Sequence, residues 1–185
     1  MTVALKRMTV AEYLAWAEAQ PESTRTELVG GEIVAMAAER NVHNLVKQQM
    51  WLALRDAVRD AGLPCTVLGD GATVVIDERT AYEPDALVQC GVPVDLLSLT
   101  ADAPTIVVEV ISPTSPGVDT NHKLRGYMGL PSVRHYLVVD AAARTVLHHA
   151  KGADGGLETR SVAGGRLRLD PPGLALDVAA AFEGL

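Results

Sequence analysis

The chain has 185 residues, which at roughly 150 residues per domain points to one domain over 1–185, and a 48% hydrophobic composition supplies a core that a disordered chain or a disulfide scaffold would lack. Lys and Arg number 16 against 23 Asp and Glu, a net charge of −7, and aromatics make up 4%; this argues against a general basic coat for nucleic acid and against a platform of stacked rings. Charge is uneven, with nine acids and one base in 61–120 but five bases and one acid in 121–151, an order that suits either a site gathering cations on carboxylates before receiving an anion or solvated loops of fortuitous composition.

Thr9-Val10-Ala11-Glu12 fits a capping box and predicts a short helix to about Ala19. TELVGGEIVAMA places two apolar stretches about Gly30-Gly31, the signature of a tight hairpin, with Glu32 just past the turn. Asn41 is expected to cap a longer helix, because Leu45, Val46, Met50, Ala53, Leu54, Ala57 and Val58 recur at helical spacing before Gly62. Residues 64–69 and 72–77 read as strands, and a further strand starts at Pro84-Asp85. TIVVEVI, residues 105–111, is apolar on both alternations apart from one glutamate, as in a strand covered on both faces. A helix over 119–130, strands HYLVVD and 144–151, and a terminal hairpin with glycine turns at 155–156 and 164–165 complete the pattern. The fold class is α/β, with a mixed central β-sheet flanked by helices. Cys65 and Cys90 show no CxxC spacing, the first 19 residues lack a signal-peptide core, and no run of about 18 apolar residues occurs. Two buried free thiols in a reduced, cytoplasmic, soluble protein are therefore expected.

Glu109 carries the most chemistry, because it interrupts the apolar strand at the centre of the sheet. A buried carboxylate must be protonated, paired with a base or bound to a metal. Asp85 opens a neighbouring strand just after a proline, so the two carboxylates can converge if the strands are adjacent, and hard oxygen ligands suit Mg²⁺ or Mn²⁺ rather than zinc. Lys123 and Tyr127, four residues apart, share one face of the following helix; a lysine there can orient or deprotonate water and offset transition-state charge. His43, His122, His135, His148 and His149 form no HExxH pattern, which leaves His43 a structural or surface residue and His122 a candidate phosphate contact. Arg125, Arg134, Arg144 and Lys151 make up the basic segment, some of them expected on backbone phosphates.

Pro84-Asp85, the run EVISPTS from Glu109, Asp119 with Lys123 and Tyr127, LPSVRHYLVVD at 130–140, TELVGGEIV at 26–34 and PGLALD near the end together resemble the Uma-two family of restriction endonucleases, within the PD-(D/E)XK nuclease superfamily. The resemblance spans nearly the whole chain. It implies a restriction-endonuclease-like fold, metal binding by Asp85, Glu109 and Val110, and phosphodiester hydrolysis, in DNA before RNA, with a homodimer suited to double-strand cutting. Ile111 stands where the superfamily usually has lysine, two residues after the acid, and the resemblance assigns that role to Lys123. Glu32 matches the family's early glutamate and is expected to complete the catalytic set, directly or through water. Ser112 caps the strand exit or touches phosphate. The alternative function is a binding module for nucleic acid or protein that kept the fold without turnover.

Overall fold

Local signals place most of the elements, and strand register then decides which residues meet. The computed structural model describes residues 7–21, 24–111, 117–152 and 155–185, with side chains from residue 120 onward in the third stretch. Thr9 caps α1 (Val10–Glu18) as expected, its hydroxyl accepting from Glu12 N at 3.2 Å while its own N–H donates to the Glu12 carboxylate at 2.9 Å. Strands β1 (Thr26–Val29) and β2 (Glu32–Ala35) form the hairpin, with φ of 57° at Gly30 and 85° at Gly31, which glycine adopts without steric cost. The long helix α2 (Asn41–Ala61) ends at Gly62 in the left-handed region, but its N-cap is Arg40. Asn41 is already inside the first turn, so the capping expectation fails by one residue and no side chain caps this end.

The strands β3 (Cys65–Gly69), β4 (Val74–Asp77) and β6 (Ala86–Cys90) lie near their expected places, and β5 (Thr80–Tyr82) is an additional short strand. Then follow β7 (Pro104–Ile111), α3 (Gly117–Gly129), β8 (His135–Asp140), β9 (Thr145–Lys151) and β10 (Leu157–Val162). The closing hairpin is β11 (Arg166–Leu169) with β12 (Leu174–Asp177), ahead of a 3-10 turn at Ala179–Phe182. The glycine turns that suggested it lie to either side of β10, which pairs with β9 instead.

The central sheet has the order β10-β9-β8-β7-β6-β3, and only β7 and β8, joined through α3, run parallel. A second sheet, β2-β1-β5-β4, and the two-stranded β11-β12 complete the molecule. Side chains alternate along a strand, so Ile106, Val108 and Val110 of β7 face α2 and β11-β12, packing with Met50, Leu54, Leu167 and Leu176. Val107 faces the other way, toward Val74, Tyr82, Tyr127 and Tyr136. Glu109 shares that second face, between the central sheet and α3.

The expected free thiols are absent. Cys65 and Cys90 are joined in a disulfide, because the antiparallel register of β3 on β6 places them directly opposite each other. A separation of 25 residues hides this pairing in the linear sequence, and both cysteines are half-buried rather than core residues. Among the described residues, no helix is long and apolar enough to cross a membrane.

Candidate active site

β6 pairs antiparallel with β7 through Ala86 and Val108, so the residue before one and the residue after the other stand side by side. They are Asp85 and Glu109. The Asp85 backbone N–H donates to Val108 O at 3.0 Å, and its Oδ2 accepts the Val110 N–H at 2.6 Å, which holds the carboxylate against the strand segment carrying Glu109. Both residues are buried.

On the α3 side, Lys123 Nζ donates to Glu109 Oε1 and Oε2 at 3.0 and 3.1 Å and to Glu27 Oε1 at 2.9 Å. Tyr127 OH donates to Glu109 Oε1 at 2.8 Å. Lys123 and Tyr127 thus use their shared helical face on one carboxylate, and Glu27 of β1 adds a second. Burial pushes the Glu109 carboxyl up to about 8, with Asp85 and Glu27 adding to the rise and Lys123 opposing it. Burial alone would lower Lys123, but Glu109 and Glu27 outweigh it and hold the ammonium well above its ordinary range. The helix comes this close because position 126 is glycine: a Cβ there would lie 2.9 Å from Tyr82 Cε2.

On the α2 side, Lys47 Nζ binds Asp85 Oδ1 at 2.9 Å, Glu39 Oε1 at 2.9 Å and also Asp70. Burial works against that ammonium, yet Asp85 and its other partners raise it. Arg25 bridges Glu39 at 3.2 Å, Glu83 at 3.0 Å and Asp70. His43 Nε2 meets the Val110 carbonyl oxygen and stands 4.0 Å from Asp85 Oδ2. Its buried Nδ1 is 3.2 Å from Glu39 Oε2 but is not aligned for a hydrogen bond, which leaves it unsatisfied among the described residues. Glu39, His43 and Asp85 present ligand atoms within 4.8 Å of one another.

The donor set fits a hard divalent cation in three respects. Six carboxyl groups (Glu27, Glu39, Asp70, Glu83, Asp85, Glu109) meet three fixed cations (Arg25, Lys47, Lys123), so the acids outnumber the bases in a largely buried region even with Glu109 carrying a proton. Val110 offers its carbonyl oxygen, and His43 adds a nitrogen with an unsatisfied ring atom. Oxygen-rich sets of this kind suit Mg²⁺ or Mn²⁺.

The structure therefore brings Asp85, Glu109, Val110, Lys123 and Tyr127 together, and leaves Glu32 apart. The Glu32 side chain is 73% exposed and lies 3.8 Å from Arg7, because it stands at the turn end of the hairpin while Glu27 stands at the end that enters the cluster. Ser112 and the side chain of Asp119 lie outside the described residues. The basic segment does not form one surface: Arg134 and Lys151 adjoin the start of β8, whereas Arg144 follows its far end, roughly 20 Å along a six-residue strand. His122 and Arg125 are exposed on α3. His43 and Lys47 carry a readable signal in their i, i+4 spacing beside the apolar stripe of α2; Glu39 stands before the helix and is placed by the chain leading into it. Glu27, Asp70 and Glu83 carry none, since each is placed by pairing between segments distant in sequence.

A model of the Uma2 (Uma-two) family, described as "Putative restriction endonuclease", matches residues 10–182. Two proteins of Synechocystis sp. (strain ATCC 27184 / PCC 6803 / Kazusa), "Uncharacterized protein sll1609" and "Uncharacterized protein slr1290", are similar in sequence. The first is 27% identical over 151 residues, covering 80% of this chain and 84% of its own; the second is 29% identical over 182 residues, covering 97% and 93%. A crystal structure from Anabaena variabilis ATCC 29413, described as "a putative nuclease belonging to DUF820", superposes with a TM-score of 0.73 at 14% identity, over 95% of this chain and 97% of that one. At that identity the likeness concerns the fold, which is restriction-endonuclease-like.

Proposed function

The chain belongs to the Uma2 family, and from that premise we propose that it is a divalent-metal-dependent nuclease that hydrolyses phosphodiester bonds in DNA. The observation that carries this reading is the buried Glu109 beside Asp85 on paired strands, with Lys123 reaching it from the next helix. Asp85, Glu109 and the Val110 carbonyl would hold Mg²⁺ or Mn²⁺, with Glu39 and His43 completing the set on the α2 side. Bound there, the cation supplies charge neutralisation at the phosphate and a more acidic water. Lys123, kept protonated by Glu109 and Glu27, acts as a charge and hydrogen-bond donor rather than as the base. Its ammonium offsets the negative charge that grows on the phosphoryl oxygens as water attacks and one P–O ester bond breaks, the leaving oxygen taking up a proton. Tyr127 holds the Glu109 carboxylate in one orientation. Glu32 takes no part.

A second reading has its own observation. The oxygens of Asp85 and Glu109 already have partners in Lys47, Val110 N–H, Lys123 and Tyr127, as in a network that holds a binding module together without turnover. One experiment separates the two: plasmid, single-stranded DNA and RNA are incubated with the protein in Mg²⁺, Mn²⁺ or chelator. Metal-dependent cutting of DNA, lost in Glu109→Gln and in Asp85→Asn with the fold retained, is the expected result. No cutting of any substrate, together with no change in Tm on adding millimolar metal, would establish the second reading instead.

A further inference from the structure

Beyond Asp85 and Lys47 the site opens into a cleft of about 450 Å³ between the outer face of α2 and the end of β3, lined by Asn44, Gln48, Trp51, Leu52, Gly69 and Asp70 together with those two residues. Its size lies within the range of small-ligand pockets, roughly 300–1,000 Å³. The free chemistry of its walls excludes an anion. The Lys47 ammonium is shared among Glu39, Asp70 and Asp85, and Arg55 is held by Asp56 at 3.0 Å while its guanidinium lies 5.3 Å from the centre of the Trp51 ring. Among the described residues that line the cleft Lys47 is the one cation, and its ammonium is already shared among three carboxylates.

What remains is neutral and planar. Trp51 offers an aromatic ring on the helix surface, stiffened by the stacked guanidinium, and its indole N–H has no hydrogen-bond partner among the described residues. Gln48 Nε2 donates to Asn44 Oδ1 at 2.7 Å, which leaves Gln48 Oε1 as an acceptor and Asn44 Nδ2 as a donor, side by side on adjacent turns of one helix. A paired donor and acceptor beside an aromatic ring is the chemistry that recognises the edge and the face of a nucleobase. Gly69 packs beside the ring, where a Cβ would make an ordinary contact 3.5 Å from Trp51 Cδ1.

The geometry points to a base-binding cleft: Trp51, Gln48 and Asn44 take an unpaired nucleobase of the substrate strand, next to the cation site that Asp85 would help to form. This specificity role rests on the nuclease reading above, and it implies that the enzyme acts on single-stranded DNA or on a nucleotide turned out of a duplex.

Two measurements test it. In a Trp16→Phe background Trp51 is the one indole left of two, and its fluorescence should be quenched saturably by millimolar deoxyadenosine or thymidine but not by inorganic phosphate. Gln48→Ala should weaken that response. In cleavage assays, an abasic site stepped along an oligonucleotide should lower kcat/KM about tenfold at one position beside the cut, within the range for loss of one stacked base. Trp51→Leu should show that loss on the intact strand and no further loss on the abasic one, while Trp51→Phe should keep most of the activity. Quenching by phosphate alone, or a flat abasic scan in an enzyme that cuts, overturns the base site and leaves the nuclease reading standing. Nucleoside quenching in a protein that cuts nothing supports the base site and overturns the nuclease reading.

Discussion

Glu109 is tolerated inside an apolar strand because two donor groups, the Lys123 ammonium and the Tyr127 hydroxyl, converge on it, and the cost of burying it has become a means of positioning. Lys123 donates to both of its oxygens, Tyr127 to one, and Glu27 shares the same ammonium. Removing the lysine strands two buried carboxylates, and breaking a buried pair in this way costs about 3–5 kcal/mol, less whatever protonation of Glu109 recovers. Lys123→Ala should therefore lower stability measurably in urea titrations and lower turnover by about two to four orders of magnitude. Added Mg²⁺ should raise the Tm of this variant more than that of wild type, because the excess negative charge is larger. Undiminished cleavage by Lys123→Ala would remove the lysine from the mechanism.

Close contacts at two places fix how elements pack around the central sheet. Helix α3 rests on β5 and β4 at Gly126, where a Cβ would meet Tyr82 Cε2 at 2.9 Å and Ile76 Cγ2 at 3.2 Å. Tyr82 is buried and packed edge-on against Tyr127, so it cannot swing aside cheaply. Gly126→Ala should destabilise by about 1–3 kcal/mol, the usual range for overpacking, and should cut activity further by drawing Lys123 away from Glu109; a thermal melt and a cleavage assay read the two effects separately. At the other end of the sheet, β8, β9 and the β11-β12 turn are tied by a chain of imidazoles. His135 Nε2 meets Pro171 O at 2.8 Å, which only accepts, and Arg160 Nε donates to His148 Nδ1 at 3.2 Å. The 2.9 Å contact between them must therefore run from His148 Nε2–H to His135 Nδ1, with both rings neutral. Burial, helped by His135, Arg160 and His149, lowers His148 to about 4. The unfolded chain takes up that proton below about 6.5 and the folded chain resists until about 4, so stability falls as pH is lowered through this window. Urea unfolding between pH 7 and 4 should show the slope, and His148→Gln should flatten it.

Across the whole molecule, the disulfide is the one covalent tie between strands at the edge of the central sheet. Closing a loop of 25 residues stabilises by about 3.5 kcal/mol on the chain-entropy estimate. Protein unfolded without reductant should show no free thiol, and Cys65→Ser with Cys90→Ser should lower the urea midpoint by a corresponding amount. Two reactive thiols in the unreduced protein would restore the free-cysteine state. The site is likewise an assembly of distant parts, since β1, α2, the residue just before β6, β7 and α3 each contribute a charged group.

Periodicity and capping were enough to locate α1, α2, α3 and most strands, because a helix stripe or a strand alternation is a local property with a local cause. The same locality made Glu109 conspicuous: one carboxylate in a run of β-branched residues demands a partner wherever the chain goes. The partners themselves were legible only in part. Lys123 and Tyr127 share a helix face that spacing reveals, and Asp85 announces itself by its proline, but choosing Glu27 over Glu32 depended on which end of a hairpin turns toward α3. The pairing of Cys65 with Cys90 depended on strand register, and the Asp85–Lys47 contact depended on which face α2 lays on the sheet. Register and packing are decided by hydrophobic burial summed over the whole core, in which no single residue pair is specified until all the elements have docked.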